Sequence, residues 1–118
     1  MVEPKQTAVP PVAERRPKSR NRVLLGGIIV YSEGSYSINC TIRDISLTGA
    51  RIGLPKGYSI PSSVYLINIR GQTGHEAQVV WFKGAEAGLA FVSSFDLDRI
   101  ANPELSYLRR IWAARLLG

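Results

Sequence analysis

The sequence predicts a mostly β fold, in which a six-stranded antiparallel sheet closes into a barrel or a sandwich and a C-terminal α-helix follows. Three observations support this prediction. Six short segments alternate apolar and polar residues, turn-forming residues separate them, and helical spacing replaces the alternation near the C-terminus. Strands this numerous close on one another because an open sheet would expose its edges. With 118 residues, the chain can form one domain with a modest core.

The alternating segments begin after a leader that has little to bury. Residues 1–13 contain three prolines and few large apolar side chains, so we expect a disordered leader there. A barrel domain is expected over residues 14–101 and a helix over residues 102–118. The alternation predicts strands at Val23 to Tyr31, Tyr36 to Ile45, Ala50 to Leu54, Val64 to Ile69, Glu76 to Phe82 and Ala87 to Val92.

Turn-forming residues separate these strands. Glycine contributes backbone freedom, proline a preset φ, and serine a side chain that bonds to the local backbone. The predicted turns are Ser32 to Ser35, Thr48 with Gly49, a longer connection from Pro55 to Ser63, Gln72 to Gly74, and Lys83 to Ala85.

The C-terminal segment has the signals of a helix start. Asn102 can cap the first turn, Pro103 suits the first helical position, and Glu104 suits the helix dipole. We predict a helix of about four turns that ends at Gly118. Its apolar side packs on the barrel or forms a face for a partner or a second copy. That side consists of Leu105, Leu108, Ile111, Trp112 and Leu116.

The composition argues against an enzyme and against a membrane protein. Cys40 and His75 are the only residues of their types, so one chain forms neither a disulfide nor a Cys/His metal cluster. Cys40 lies in an apolar alternating run and is expected to be a reduced, buried thiol. The scattered carboxylates do not pair as a phosphodiesterase would need, and we expect no cofactor. With no signal sequence and no apolar span, the chain is expected in the cytoplasm without membrane insertion.

The net charge of +6 is concentrated at the two ends of the chain. Residues 1–22 hold six basic and two acidic residues, residues 23–101 hold six of each, and residues 102–118 hold three arginines and one glutamate. A protein that wraps a nucleic-acid duplex usually spreads its basic residues over the folded surface. We therefore expect no nucleic-acid partner. A small β-barrel nucleic-acid binder stays as an alternative, with Tyr65, Trp81 and Phe82 as its exposed aromatic candidates.

An arginine cluster precedes the first strand. Arg15, Arg16 and Arg20 supply planar guanidinium groups, which bind phosphate through two hydrogen bonds at once and can also bind a purine edge. A bend at Pro17 could bring Arg16 and Arg20 around one compact dianion. On its own, the cluster favours a solvated basic linker over an anion site.

A second cluster lies at the end of the second predicted strand. Asp44 and Ser46 supply a carboxylate and a hydroxyl, and Gly49 permits a positive φ and close approach of backbone or ligand. The simpler interpretation is a turn in which Asp44 and Ser46 bond to the local backbone. Ile42 is expected in the core and has the same parity as Asp44, so either the strand leaves the barrel there or a bulge redirects the side chain.

The two clusters, in this order, resemble the PilZ domain, a family of bacterial receptors for cyclic di-GMP. Val79 to Trp81 and Gly88 to Phe91 are similar to the last two strands of that family. The resemblance covers about residues 14–95 and implies a six-stranded antiparallel PilZ-type barrel.

The resemblance also implies roles for particular residues. In the family, the arginines engage ligand phosphates and guanine, and the second motif holds a guanine edge. The chain is therefore expected to bind cyclic di-GMP and to act on an unidentified protein partner, while its oligomeric state stays open. The alternative within the family is an adaptor that binds protein without using nucleotide. The residues that match the two motifs are Arg15, Arg16, Arg20, Asp44, Ser46 and Gly49.

Overall fold

The computed structural model describes residues 21–117 and confirms a closed barrel of six antiparallel strands followed by a C-terminal helix. The predicted leader and the arginine cluster lie outside these residues. Around the barrel the strand order is β1-β2-β3-β6-β5-β4, and pairing of β1 with β4 closes it. The strands are β1 (Asn21–Tyr31), β2 (Tyr36–Ile45), β3 (Gly49–Gly53), β4 (Ser63–Asn68), β5 (Thr73–Lys83) and β6 (Glu86–Asp96).

Alternating side chains from these strands fill the barrel interior, as the period of two predicts. Ile29, Ile42, Ile52 and Leu66 are completely buried in this interior cluster. Cys40 lies in the same cluster, and burial raises the pKa of its thiol to about 12. The expectation of a buried thiol is therefore confirmed.

The helix α1 (Ser106–Leu117) packs on the outer face of β1 and β4. Ile28 and Val30 flank the interior residue Ile29, so they point outward, and they form a second core with Leu108 and Trp112 of the helix. The Trp112 indole N–H donates a 3.0 Å hydrogen bond to the carbonyl oxygen of Ile69. Leu105, Leu108, Ile111 and Trp112 of the predicted apolar side pack on the barrel, whereas Leu116 is 55% exposed and does not belong to this core.

The start of the helix follows the sequence signals. The Asn102 side chain accepts a 2.9 Å hydrogen bond from the backbone N–H of Glu104, and a 3₁₀ turn at Pro103–Leu105 leads into α1. Within residues 21–117, none of the helices has the length and apolar character needed to cross a membrane.

The hairpin of β5 and β6 is longer than the sequence predicts. We expected β5 to begin at Glu76, whereas it begins at Thr73, and the preceding turn covers residues 69–72. Gly74 lies within β5, and glycine is needed there because the Phe95 ring occupies the space where a side chain would be. The ring of His75 stacks on Phe91, with the two ring centroids 4.1 Å apart.

Candidate functional site

A β-bulge in β2 turns Asp44 to the outer face of the barrel. Ile42 pairs with the interior residue Ile52, but the next pair joins Asp44 to Arg51, so Arg43 is an extra residue on β2. Arg51 lies between two interior residues of β3 and therefore points outward, and paired residues of neighbouring strands point to the same face. Of the two explanations offered for the parity of Asp44, the bulge is correct.

The Asp44 carboxylate is held by an arginine from the neighbouring strand. The Nε of Arg51 donates a 2.9 Å hydrogen bond to Oδ2 of Asp44. The Nη1 of the same guanidinium donates to both carboxylate oxygens of Glu86, at 3.2 and 3.0 Å. Arg51 thus bridges two carboxylates from β2 and β6, which places Asp44 in a defined orientation on the barrel surface.

Asp44 and its partners differ in their exposure to solvent. The Asp44 side chain is 9% exposed, against 28% for Arg51 and 37% for Glu86. The hydrogen bond to Asp44 raises the pKa of the Arg51 guanidinium, and Glu86 adds to this effect while desolvation opposes it. A second arginine, Arg43, approaches Glu86 to 3.3 Å and is 45% exposed.

Ser46 organises the turn that follows β2. Its backbone N–H donates a 2.8 Å hydrogen bond to the carbonyl oxygen of Gly49. Its hydroxyl accepts a 3.2 Å bond from the backbone N–H of Thr48 and donates a 3.4 Å bond to the Gly49 carbonyl. The interpretation of local backbone bonding therefore describes Ser46, whereas Asp44 bonds across the sheet.

Gly49 is required for the close backbone approach expected of a glycine, and not for its φ. Of the two properties expected of this glycine, the positive φ is not observed. Instead, a Cβ at this position would overlap the carbonyl oxygen of Leu89 in β6. Glycine here permits the close approach of β3 and β6 just beyond the Ser46 turn.

The first strand begins beside this turn. Asn21 pairs with Ile45, the last residue of β2, and Arg22 pairs with Asp44. The chain that precedes β1 therefore joins the barrel at the end that carries Asp44, Ser46 and Gly49. Arg15, Arg16 and Arg20 precede Asn21 and lie outside the residues that the structure describes.

A depression on the outer face adjoins Asp44 through Arg51, and its lining residues lie outside both sequence motifs. This shallow depression of about 490 Å³ is lined by Val23, Leu24, Arg43 and Arg51. The alternation of β3 would have shown that Arg51 points outward. Its partner Glu86 lies 35 positions further along the chain, so no local pattern reveals their contact.

Another cleft, of about 810 Å³, lies between α1 and the end of β1. Its lining includes three carboxylates, those of Glu33, Glu76 and Glu104, and a single arginine, Arg110. This charge disfavours the phosphates of a nucleotide. The face with Asp44 and its neighbouring arginines is therefore the better candidate for an anionic ligand.

Comparisons with known proteins agree with this architecture. No curated protein matches the chain. The PilZ domain matches residues 14–110, a range that includes the arginine cluster, the six strands and the first turn of α1. With most of its 118 residues inside that match, the chain belongs to the PilZ domain family.

Proposed function

We propose that the chain is a cytoplasmic receptor for cyclic di-GMP, which it holds between the arginine segment and the outer barrel face at Asp44. The observation that carries the proposal is the orientation of Asp44, a largely buried carboxylate that the β2 bulge turns outward and Arg51 holds in place. Guanine has N1–H and N2–H donors on one edge, and a carboxylate is their natural acceptor.

The arginine segment supplies the other half of the proposed site. Arg16 and Arg20, with Arg15 beside them, would bind the two phosphates and the O6 and N7 acceptors of guanine. The position of Asn21 beside Ile45 supports this arrangement, because it tethers the segment next to the Ser46 turn. Ser46 and Gly49 would shape the end of β2 on which the base rests.

Ligand binding would act on a partner by ordering the segment. Closely spaced arginines repel one another until an anion neutralises them, so the segment and the barrel face would form one surface only with ligand present. A protein partner would read that surface. The alternative is an adaptor that binds its partner without nucleotide, and the two differ in whether cyclic di-GMP binds at all.

The proposal is tested by calorimetric titration of the purified chain with cyclic di-GMP and cyclic di-AMP. Adenine presents an N1 acceptor where guanine has an N1–H donor, so Asp44 should favour guanine by about 1 to 3 kcal/mol. Asp44→Ala should weaken cyclic di-GMP binding and leave any cyclic di-AMP binding unchanged or slightly stronger. Asp98→Ala removes an exposed carboxylate outside this face and serves as the matched control.

Three results would contradict the proposal. No binding of cyclic di-GMP by the unaltered chain would favour the adaptor. Equal losses for both ligands in Asp44→Ala would show that Asp44 shapes the turn and does not read the base. Salt-dependent binding of any oligonucleotide, with no preference for the cyclic dinucleotide, would favour a nucleic-acid binder.

A further inference from the structure

Arg51 and Glu86 lie outside both sequence motifs, yet they hold the carboxylate proposed to read the base. We propose that Arg51 is a positioning residue for Asp44, anchored by Glu86, and that this pair sets the preference of the site for guanine. This inference rests on the proposed function and deepens it. It concerns how the base is discriminated, whereas the proposed function concerns which ligand is bound.

The first step of the argument is geometric. The Nε of Arg51 lies 2.9 Å from Oδ2 of Asp44, and Nη1 lies 3.2 and 3.0 Å from the two oxygens of Glu86. Because a guanidinium is planar, fixing Nε and Nη1 fixes the direction of both N–H bonds. A side chain held at two points by different strands cannot rotate without breaking one of its contacts.

The second step concerns the carboxylate. A carboxylate can accept about four hydrogen bonds, so Asp44 can accept from Arg51 and from a base edge at the same time. Guanine presents N1–H and N2–H side by side, and both bonds form only if the carboxylate plane has the correct rotation. The Asp44 side chain has two rotatable bonds, and the contact of Arg51 with Oδ2 restricts the values they can take.

The third step separates orientation from charge. Arg43 is a second arginine on the same face and approaches Glu86 to 3.3 Å. It also lines the depression beside Asp44, so it contributes a similar positive charge near a bound dianion. Arg43 contacts Glu86, whereas Arg51 contacts both Glu86 and Asp44, so Arg43 is a matched control for Arg51.

The experiment compares two ligands within each variant. Cyclic di-GMP and cyclic di-IMP differ only in the 2-amino group of the base, so the ratio of their dissociation constants measures the N2–H contact. An inactive fraction of protein affects both titrations equally and cancels from this ratio. The variants are Arg51→Ala, Arg51→Lys, Glu86→Gln and Arg43→Ala, each checked for its fold by circular dichroism.

We expect Arg51→Ala and Arg51→Lys to lose most of this discrimination, so that the ratio of the two dissociation constants changes roughly fivefold or more. Lysine retains the charge but lacks the planar fork, so it should not restore the ratio. Glu86→Gln should lower the ratio partially, since it weakens the anchor. Arg43→Ala should weaken the binding of both ligands by the same factor and leave the ratio of their dissociation constants unchanged.

Two outcomes would overturn the inference and are distinct from failure of the proposed function. A folded Arg51→Lys protein that discriminates as well as the unaltered chain would show that only charge matters at this position. A ratio that falls equally in Arg43→Ala and Arg51→Ala would show a general loss of the site. If the unaltered chain binds neither ligand, the proposed function itself fails, and the inference fails with it.

Discussion

Ile42 and Asp44 are two positions apart in β2 and point to opposite faces of the barrel wall. Ile42 pairs with Ile52 inside the barrel, and Asp44 pairs with Arg51 outside it. The single extra residue between them, Arg43, produces this change. Plain alternation would place this carboxylate in the apolar interior, where burial of a charge without a partner is costly. The bulge turns it to the outer face instead.

Removing either motif arginine should weaken ligand binding and leave the fold intact. Each lost charge-assisted contact in Arg16→Ala or Arg20→Ala should cost about 1.5 to 3 kcal/mol of binding free energy. Both residues precede Asn21, the first residue of the described barrel, so they lie outside the described core. Calorimetry with cyclic di-GMP measures the loss. Lys18→Ala removes a cation of the same segment outside the motif, and an equal loss there would argue for general charge attraction.

Replacing Gly49 should destabilise the barrel even without ligand. The new Cβ of Gly49→Ala would overlap the Leu89 carbonyl oxygen, so β3 and β6 must separate, at a cost of about 1 to 3 kcal/mol in the free energy of unfolding. Gly26→Ala is the control, because its Cβ would lie 3.6 Å from the nearest side-chain atom, an ordinary contact. Urea unfolding followed by circular dichroism gives both values. Equal stabilities would show that the strands tolerate the side chain.

Trp112→Phe should loosen the helix from the barrel. It leaves the Ile69 carbonyl without the indole donor, which should reduce the free energy of unfolding by about 1 to 3 kcal/mol. Leu117→Ala alters a residue of the same helix that is 90% exposed, and it should change stability little. The comparison is made by urea unfolding. A larger effect at Leu117 than at Trp112 would contradict the observed docking of α1.

His75 should make stability depend on pH in mildly acidic solution. Burial lowers its pKa to about 4 in the folded protein, from an ordinary value of 6.5. Between these values the unfolded chain binds one proton more than the folded chain, so the free energy of unfolding falls as the pH is lowered. The free energy of unfolding changes by at most about 1.4 kcal/mol per pH unit through His75, and above about pH 6.5 this residue causes no further change.

The matched variant for this effect is His75→Gln, which does not titrate. It retains groups that can hydrogen-bond to Thr73 and Ser94, the two residues that the imidazole contacts at 3.1 and 2.7 Å. The difference in stability between the two proteins, measured by urea unfolding from pH 4 to pH 7, should shrink as the pH falls. A constant difference would show that His75 does not change its protonation on folding.

The barrel was predictable because its signals are local. Apolar residues alternate in β1 to β4, and turn residues mark their ends, so the sequence predicts those strands to within about two residues. The β5–β6 hairpin was placed less well, since Gly74 and Ser94 look like turn residues. Gly74 is instead covered by the Phe95 ring, and Ser94 bonds to Nδ1 of His75. Both contacts join residues that are far apart in sequence.

The candidate site also has a part that the local sequence predicts and a part that it does not. The spacing of Asp44, Ser46 and Gly49 shows which residues share the end of β2. It does not show that Arg51 and Glu86 hold Asp44, because that contact depends on the pairing of β3 with both β2 and β6. The glycine at position 49 indicates a close backbone approach, but the local sequence does not show that Leu89 of another strand makes it.

The docking of α1 has a consequence for how the chain folds. β1 and β4 pair through residues that are far apart in sequence, such as Gly27 and Asn68. Bringing two such segments together costs more chain entropy than forming a hairpin between neighbouring strands. Leu108 and Trp112 contact Ile28 of β1 and Ile67 of β4 within one cluster, so the helix lies across this seam. We therefore expect the seam between β1 and β4 to close late and cooperatively with the docking of α1, so in a nascent chain it should stay open until α1 has left the ribosome.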